Sequence, residues 1–438
     1  MGTRMSRCRA IAAVMVLSAM LLATSARADT VTDWNELATN ELVADGQGAS
    51  ALVHLAMVHA AMYDAVNAID RRHAPYLVAP AAKRSYSMDA AAATAAFRVL
   101  VDSRPSVVQP ARQAELVTAA TSLYAAQLAA IPAGPDKDGG IATGRAAADA
   151  MIAARLGDGR FGPFRFGVGT LPGQWRPTPP AGVNDPFAWV RDVKPFLIGS
   201  PSAFGGPPPF ALTSRQYARE FDEVKSLGSA TSTTRTPDQT DAARFWGATN
   251  AVGTWSRLYR DIAQRYGRSP ADDARMFAML YLAAADASIT VWVDKAKYSF
   301  WRPITAIREG DTDGNRCTVG DPAWSPLVPT PPYPDMPSGL SALSGTSAVT
   351  LRRFFGTDDL AFGATNAIGI ARTYARFSQA EDEVVDARVW AGIHFRHADE
   401  VGASIGERIA EWQQQRFLQP VDDDRDVADD RDHSGPGR

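Results

Sequence analysis

Apolar residues recur at three- and four-residue intervals along most of this chain, and the two-residue alternation of a half-buried strand is nearly absent. That spacing lines one side of a helix, so the chain can hide its apolar residues only by packing helix on helix. The pattern predicts helices over Ala51 to Ile69, Asp89 to Val101, Pro110 to Ala130, Gly144 to Leu156, Ser214 to Ser226, Pro237 to Ala248, Trp255 to Tyr266 and Ala271 to Asp294, many bounded by Gly or Pro. The expected fold is mainly α, one domain from about Asp29 to Leu418, with its catalytic half at about 250–418. No solenoid period is apparent.

Met1 to Ala28 carries Arg4, Arg7 and Arg9, an apolar run from Ala10 to Ala23, and then Ala26-Arg27-Ala28. This reads as a secretory signal peptide cut before Asp29, so the expected location is exported, periplasmic or secreted, without stable membrane insertion. Losing its four arginines takes the formal charge from −3 to −7. Seven Asp against three Arg between Gln419 and Arg438 mark an expected disordered acidic tail. No basic stripe offers itself to nucleic acid. Cys8 leaves with the leader and Cys317 remains alone, which excludes an intramolecular disulfide and leaves the apolar core, 46% of the composition, to hold the fold.

Gly157 to Pro209 is rich in Gly and Pro but also holds Phe161, Phe164, Phe166, Trp175, Phe187, Trp189 and Phe196. Aromatics argue for packing, so this segment is expected to wrap the bundle, with a place at the entrance of a site as the functional alternative. His54 and His59 are five apart and do not share a helix face as an i,i+4 ligand pair would; they read as core or interface histidines. Asp311-Thr-Asp313-Gly-Asn315 resembles the start of a calcium loop but has Pro322 where the closing Glu belongs.

Three stretches carry candidate chemistry. In the first, Lys295 and Arg302 follow the long apolar helix, and Pro303 suits the first position of a new helix, so Arg302 is expected in the joint between two helices. In the second, Ser338-Gly339 opens a helix after a proline-rich loop, where a serine cap and free backbone N–H groups can receive an anion. In the third, Arg388 and His394 are six apart, about 240° around an unbroken helix, and converge only if the chain breaks near Gly392. No Gly-x-Ser-x-Gly elbow surrounds Ser338, and Cys317 has no neighbouring His, so neither a Ser-His-Asp triad nor thiol catalysis is supported.

The order Lys-x6-Arg-Pro, Pro-Ser-Gly, Arg-x5-His resembles the vanadium-dependent haloperoxidase and type 2 phosphatidic acid phosphatase superfamily. Phe300-Trp301-Arg302-Pro303, Pro331-Pro332-Tyr-Pro and Gly392-Ile-His394-Phe395 are most similar to its exported bacterial haloperoxidase-like branch, and the similarity reaches Leu55 to Asn67. The resemblance implies a pair of helical bundles and vanadate as cofactor. By position it implies that Lys295, Arg302, Ser338, Gly339 and Arg388 hold the oxyanion, that His394 bonds vanadium, and that Lys295 polarises bound peroxide. Two positions depart from the pattern. Leu340 stands where the family keeps an acid-base His, and Ala387 where a Ser precedes the second Arg.

The expected function is oxidation of halide by hydrogen peroxide at a vanadate centre, impaired to the extent that Leu340 removes a proton carrier. The alternatives are a phosphomonoesterase acting on a phosphorylated small molecule with His394 as nucleophile, or a catalytically degenerate oxyanion-binding protein. Halide preference, organic acceptor, the orienting partner of His394 and homo-oligomer formation are not legible from spacing.

Overall fold

The computed structural model describes residues 29–103, 110–267 and 269–421; the expected leader and residues 422–438 of the expected acidic tail lie outside them. Thirteen α-helices are found among the described residues: α1 (Thr30–Ala44), α2 (Ala49–Asp70), α3 (Met88–Asp102), α4 (Pro110–Ala130), α5 (Pro135–Ala154), α6 (Arg215–Leu227), α7 (Pro237–Gly247), α8 (Ala251–Tyr266), α9 (Pro270–Tyr298), α10 (Pro303–Arg308), α11 (Gly339–Phe355), α12 (Phe377–Trp390) and α13 (Arg396–Gln414). The periodic segments all fall on helices, most within a few residues of the expected ends. Two features depart from the expectation. α1 was not distinguished by spacing, and β1 (Phe362–Thr365) pairs antiparallel with β2 (Ala371–Tyr374). Strands of four residues are too short to write a legible alternation.

α9 is the axis of the molecule. Ser269 caps it by accepting from Asp272 N, Pro270 starts it, and every residue from Met276 to Trp292 is buried. α2 covers one side of it and α11 another, which makes two bundles sharing one helix: α1 to α5 with α9, and α9 with α11 to α13. α2 and α9 are long and apolar enough to cross a membrane, but 94% of each apolar window is buried among the other helices. In the second bundle α11 and α13 touch backbone to backbone. A Cβ at Gly402 would run into Ser338 O, and one at Gly406 into Ala342 O. This contact seats α13 directly against the start of α11.

Residues 157–209 wrap the bundle with only two short 3-10 turns, Ala188–Asp192 and Pro201–Ala203. Phe166, Trp175, Phe187, Trp189 and Phe196 are buried, as packing aromatics should be, while Phe161 is exposed. Asp286 on α9 pins the wrap by accepting from the backbone N–H groups of Phe196, Leu197 and Ile198 at 2.6, 2.7 and 2.9 Å. His54 and His59 are buried core residues, and His59 stacks on Tyr281 with ring centroids 4.8 Å apart. The loop at 311–315 spends its carboxylates locally: Asp311 accepts from Gly320 N, and Asp313 from Thr318 Oγ1 and Asn315 N. Gln419 to Val421, expected to open the free tail, instead run against Arg72 to Ala74 through backbone hydrogen bonds.

Candidate functional site

Two helix breaks and one helix start build the site. α9 ends at Ser299, whose φ of 43° takes the chain out of the helix, and Arg302 is the extended residue before Pro303 opens α10. α12 ends before Gly392, which has a φ of 79° and lies so close to Gly228 that a Cβ would overlap its carbonyl oxygen; only glycine meets both demands. His394 follows, one residue before the N-cap of α13. Ser338 caps α11, its Oγ accepting from Ser341 N at 3.4 Å, and Gly339 is the first helical residue, whose N–H has no intrahelical acceptor.

The sequence-predicted residues meet here. Lys295, Arg302, Ser338, Arg388 and His394 are all buried, Gly339 nearly so, and they are packed together although they span a hundred positions. Arg302 donates from Nε to Tyr333 O at 2.8 Å and from Nη1 to Ile393 O at 2.7 Å, and Nη1 lies 3.1 Å from His394 Nε2. Lys295 Nζ donates to Pro334 O at 2.6 Å and Asp335 O at 2.8 Å. The Tyr333 ring sits 5.0 Å from each of these cations, a shared aromatic platform. Arg388 reaches Trp246 O at 3.4 Å.

The cations keep donors in hand. An ammonium has three, and Lys295 uses two. Arg302 Nη2 and Arg388 Nε are buried without a partner. Burying so much positive charge is costly, and two buried carboxyl groups, Asp335 and Asp399, lie among the cations. Asp335 Oδ1 lies 2.9 Å from His394 Nδ1 and 3.6 Å from Arg302 Nη1. Asp399 accepts from Ser341 Oγ at 2.9 Å, and Ser341 Oγ is 3.1 Å from Ser338 Oγ. Burial pushes Asp335 up to about 7 and Asp399 up to about 8, against the pull of Arg302 and Lys295 on the first and Arg388 on the second. Burial, then repulsion from Arg302, Arg388 and Lys295, drives His394 well below the ordinary imidazole range and so keeps the ring neutral. Burial also lowers Lys295.

A cavity of about 290 Å³ opens onto this cluster. Gly339, Leu340, Arg388 and His394 lie on its wall together with aromatic Phe187, Trp246, Trp292 and Tyr333 and, from the wrap, Asp185. Lys295, Arg302 and Ser338 stand behind that wall. Leu340 is 7% exposed and gives the floor an isobutyl group in place of a polar ring.

Sequence reasoning missed Tyr333, Asp335 and Asp399 as parts of the site. Asp399 stood five residues after His394, but nothing in the spacing tied it to Ser341 58 positions earlier. Tyr333 and Asp335 lay in a proline-rich loop, where residue type alone does not show which way a side chain turns. Asp335 is the carboxyl group that the fold brings to within 2.9 Å of His394, which spacing could not supply.

The comparisons with known proteins bear on the fold and on the sequence of the second bundle. The family model for the VCPO second helical-bundle domain matches residues 275–423, the stretch holding all three motifs. The vanadium chloroperoxidase of Curvularia inaequalis is 30% identical over 216 residues, a match covering 41% of this chain and 35% of that relative's length. In fold, a bacterial vanadium-dependent iodoperoxidase superposes with a TM-score of 0.77 at 22% identity, over 90% of this chain and 97% of that one. A holo-type bacterial vanadium-dependent chloroperoxidase gives 0.63 at 18% identity, over 84% and 92%. Residues 275–423 thus match the second helical bundle of the vanadium chloroperoxidase family model in sequence, and the chain as a whole shares the fold of solved vanadium-dependent haloperoxidases.

Proposed function

We propose that the protein is a vanadate-dependent haloperoxidase that oxidises halide with hydrogen peroxide. The observation that carries this reading is the set of unspent donors. Lys295 Nζ, Arg302 Nη2 and Arg388 Nε each keep hydrogen-bonding capacity while buried, beside the free N–H of a helix start at Gly339. Buried donors are normally paired, and a tetrahedral oxyanion is the ligand that would satisfy several at once. The donor set therefore fits vanadate.

In this reading Lys295, Arg302 and Arg388 offset the negative charge on the oxyanion, Ser338 Oγ and Gly339 N add hydrogen bonds, and His394 offers the metal bond. Bound vanadate supplies a Lewis-acidic centre that activates peroxide without a change of oxidation state. His394 must be neutral to serve as a ligand, and its burial among three cations keeps it so. Asp335 Oδ1 lies 2.9 Å from Nδ1, close enough to favour a proton on that nitrogen, and Nε2 would serve the metal once Arg302 Nη1, now 3.1 Å from it, turned to the oxyanion. Lys295 then withdraws charge from the reacting oxygen, its ammonium held in place by two carbonyls and the Tyr333 face. The aromatic wall of the cavity suits an apolar organic acceptor.

The test is direct. Purified protein is titrated with orthovanadate by calorimetry, then assayed for peroxide-dependent iodide and bromide oxidation beside hydrolysis of an aryl phosphate. Halide oxidation that requires vanadate supports the reading. Phosphate hydrolysis without vanadate would replace it with the phosphomonoesterase, and oxyanion binding with no turnover would replace it with a catalytically degenerate binding protein.

A further inference from the structure

Leu340 gives the cavity no proton carrier, yet the proposed reaction consumes a proton. Halide, hydrogen peroxide and one proton yield hypohalous acid and water: the O–O bond breaks as the halogen–oxygen bond forms, and halide loses the two electrons that reduce peroxide. Four ionisable side chains line the cavity, namely Asp185, Tyr333, Arg388 and His394. Arg388 is a fixed cation, His394 is held neutral as a ligand, and burial raises the Tyr333 phenol further from the working range. Asp185 remains.

We propose that Asp185, delivered by the wrap, is the acid-base residue of this site and performs the proton transfer that a leucine at position 340 cannot. The proposal rests on the haloperoxidase reading. Its first support is placement. Asp185 is 5% exposed, lies on the wall of the same cavity as Leu340, and is tied to the site from two sides. Its backbone N–H donates to Pro332 O at 3.0 Å, beside the Tyr333 platform. Its Oδ2 accepts from Trp292 Nε1 at 3.3 Å, and the far edge of that indole lies where a Cβ on Gly339 would meet it at 3.0 Å. One indole therefore spans the distance from Asp185 to the start of α11.

The second support is the carboxyl's own bonding. Oδ1 accepts from Phe187 N at 2.9 Å, a firm bond that fixes the group, while Oδ2 holds only the longer contact to Trp292 and is the oxygen free to carry a proton. The charged and titratable groups that face it are Arg165 on the wrap, Lys295 on α9 and Tyr333 on the loop before α11. Burial outweighs the two cations and raises Asp185 to about 6, close to the range in which an acid both gives and regains its proton. The protonated Oδ2 passes its proton through water in the cavity to the peroxide-derived oxygen, since one indole separates it from the cradle, and the carboxylate is reprotonated from solvent.

The experiment compares native protein with Asp185→Asn and Asp185→Glu, each by three measurements: orthovanadate affinity by calorimetry, the pH profile of vanadate-dependent iodide oxidation between pH 4 and 8, and a carboxyl-stretch infrared titration of the protein without vanadate. We expect D185N to bind orthovanadate within about twofold of native while its rate falls by roughly 10²-fold, the lower end of general acid-base effects. The profile should lose its limb near pH 6, the infrared band titrating near pH 6 should vanish, and D185E should recover part of the rate. An unchanged rate and profile in D185N overturns the proposal while leaving the haloperoxidase reading intact. Vanadate affinity falling in step with the rate also overturns it, because Asp185 would then only brace the wrap. A native protein that neither binds vanadate nor turns over removes the reading and the proposal together.

Discussion

The two bundles bury the same kinds of polar residue to different ends. In the first, Asp286 and Asp64 are each saturated by three backbone N–H groups: Asp286 by Phe196 to Ile198, and Asp64 by Tyr76, Leu77 and Val78. His59, wholly buried, is stacked between Phe277 and Tyr281 with Asn35 on Nε2. In the second, Asp335, Asp399 and His394 are buried as deeply, but they face Arg302, Arg388 and Lys295, whose donors are not all used. Both regions contain buried carboxylates raised by desolvation and a buried imidazole lowered by it. Burial and a shifted pKa therefore do not mark the site, nor does an unpartnered ring nitrogen, since both of those of His54 and Nδ1 of His59 are also without a partner; unspent donors of several cations converging on one point do.

The comparison is broken most sharply at Asp286. Asp286→Ala orphans three buried N–H groups at about 1–3 kcal/mol each, so we expect at least about 3 kcal/mol of destabilisation in a urea titration, with the orthovanadate affinity of the folded fraction unchanged. A large loss of affinity without loss of stability would show that the first bundle takes part in binding. Leu340→His works on the other region. Introduced together with Asp185→Asn, an imidazole beside the oxyanion cradle should recover vanadate-dependent iodide oxidation by up to the roughly 10²-fold lower end of general acid-base catalysis, read as kcat between pH 5 and 8. A folded double variant that binds vanadate but turns over no faster than Asp185→Asn alone would deny that position any acid-base role. Arg388→Ala removes a cation with an unspent donor. Affinity for orthovanadate should fall by about tenfold or more by calorimetry, the value of a charge-assisted bond. Equal affinity would make Arg388 a purely structural counterion of Asp399.

The smallest effect is one of slope. Asp399 has a folded-state pKa raised from 3.8 to about 8 by burial, so the folded protein holds a proton that the unfolded chain releases. Its contribution to stability is fully present below about pH 4 and is lost as pH rises toward 8. In Asp399→Asn the urea midpoint should therefore decline less between pH 4 and 8 than in the native protein. A steeper decline would mean that Arg388 holds Asp399 ionised in the fold.

Much of this was written locally. The helices of both bundles are visible because three- and four-residue spacing survives without any partner being known, and the breaks that aim Arg302 and His394 are written in Pro303 and Gly392. The cap at Ser338 is likewise a matter of four consecutive residues. α1 and the β1–β2 hairpin were not legible, since marginal or very short periodicity acquires its structure from what it packs against.

What the sequence alone determined is the helical fold class, the three stretches that bear the site, and the departure at Leu340, all properties of neighbouring residues and of backbone stereochemistry. The tertiary structure decided which carboxylates answer which cations. Asp335 meets His394 across 59 positions, Asp399 meets Ser341 across 58, and Asp185 enters the cavity from a wrap more than a hundred residues before either. Those pairings follow from how α13 seats on α11 through Gly402 and Gly406 and how the wrap is pinned to α9. A buried charge is tolerated only where packing brings its partner, and packing is a property of the whole chain.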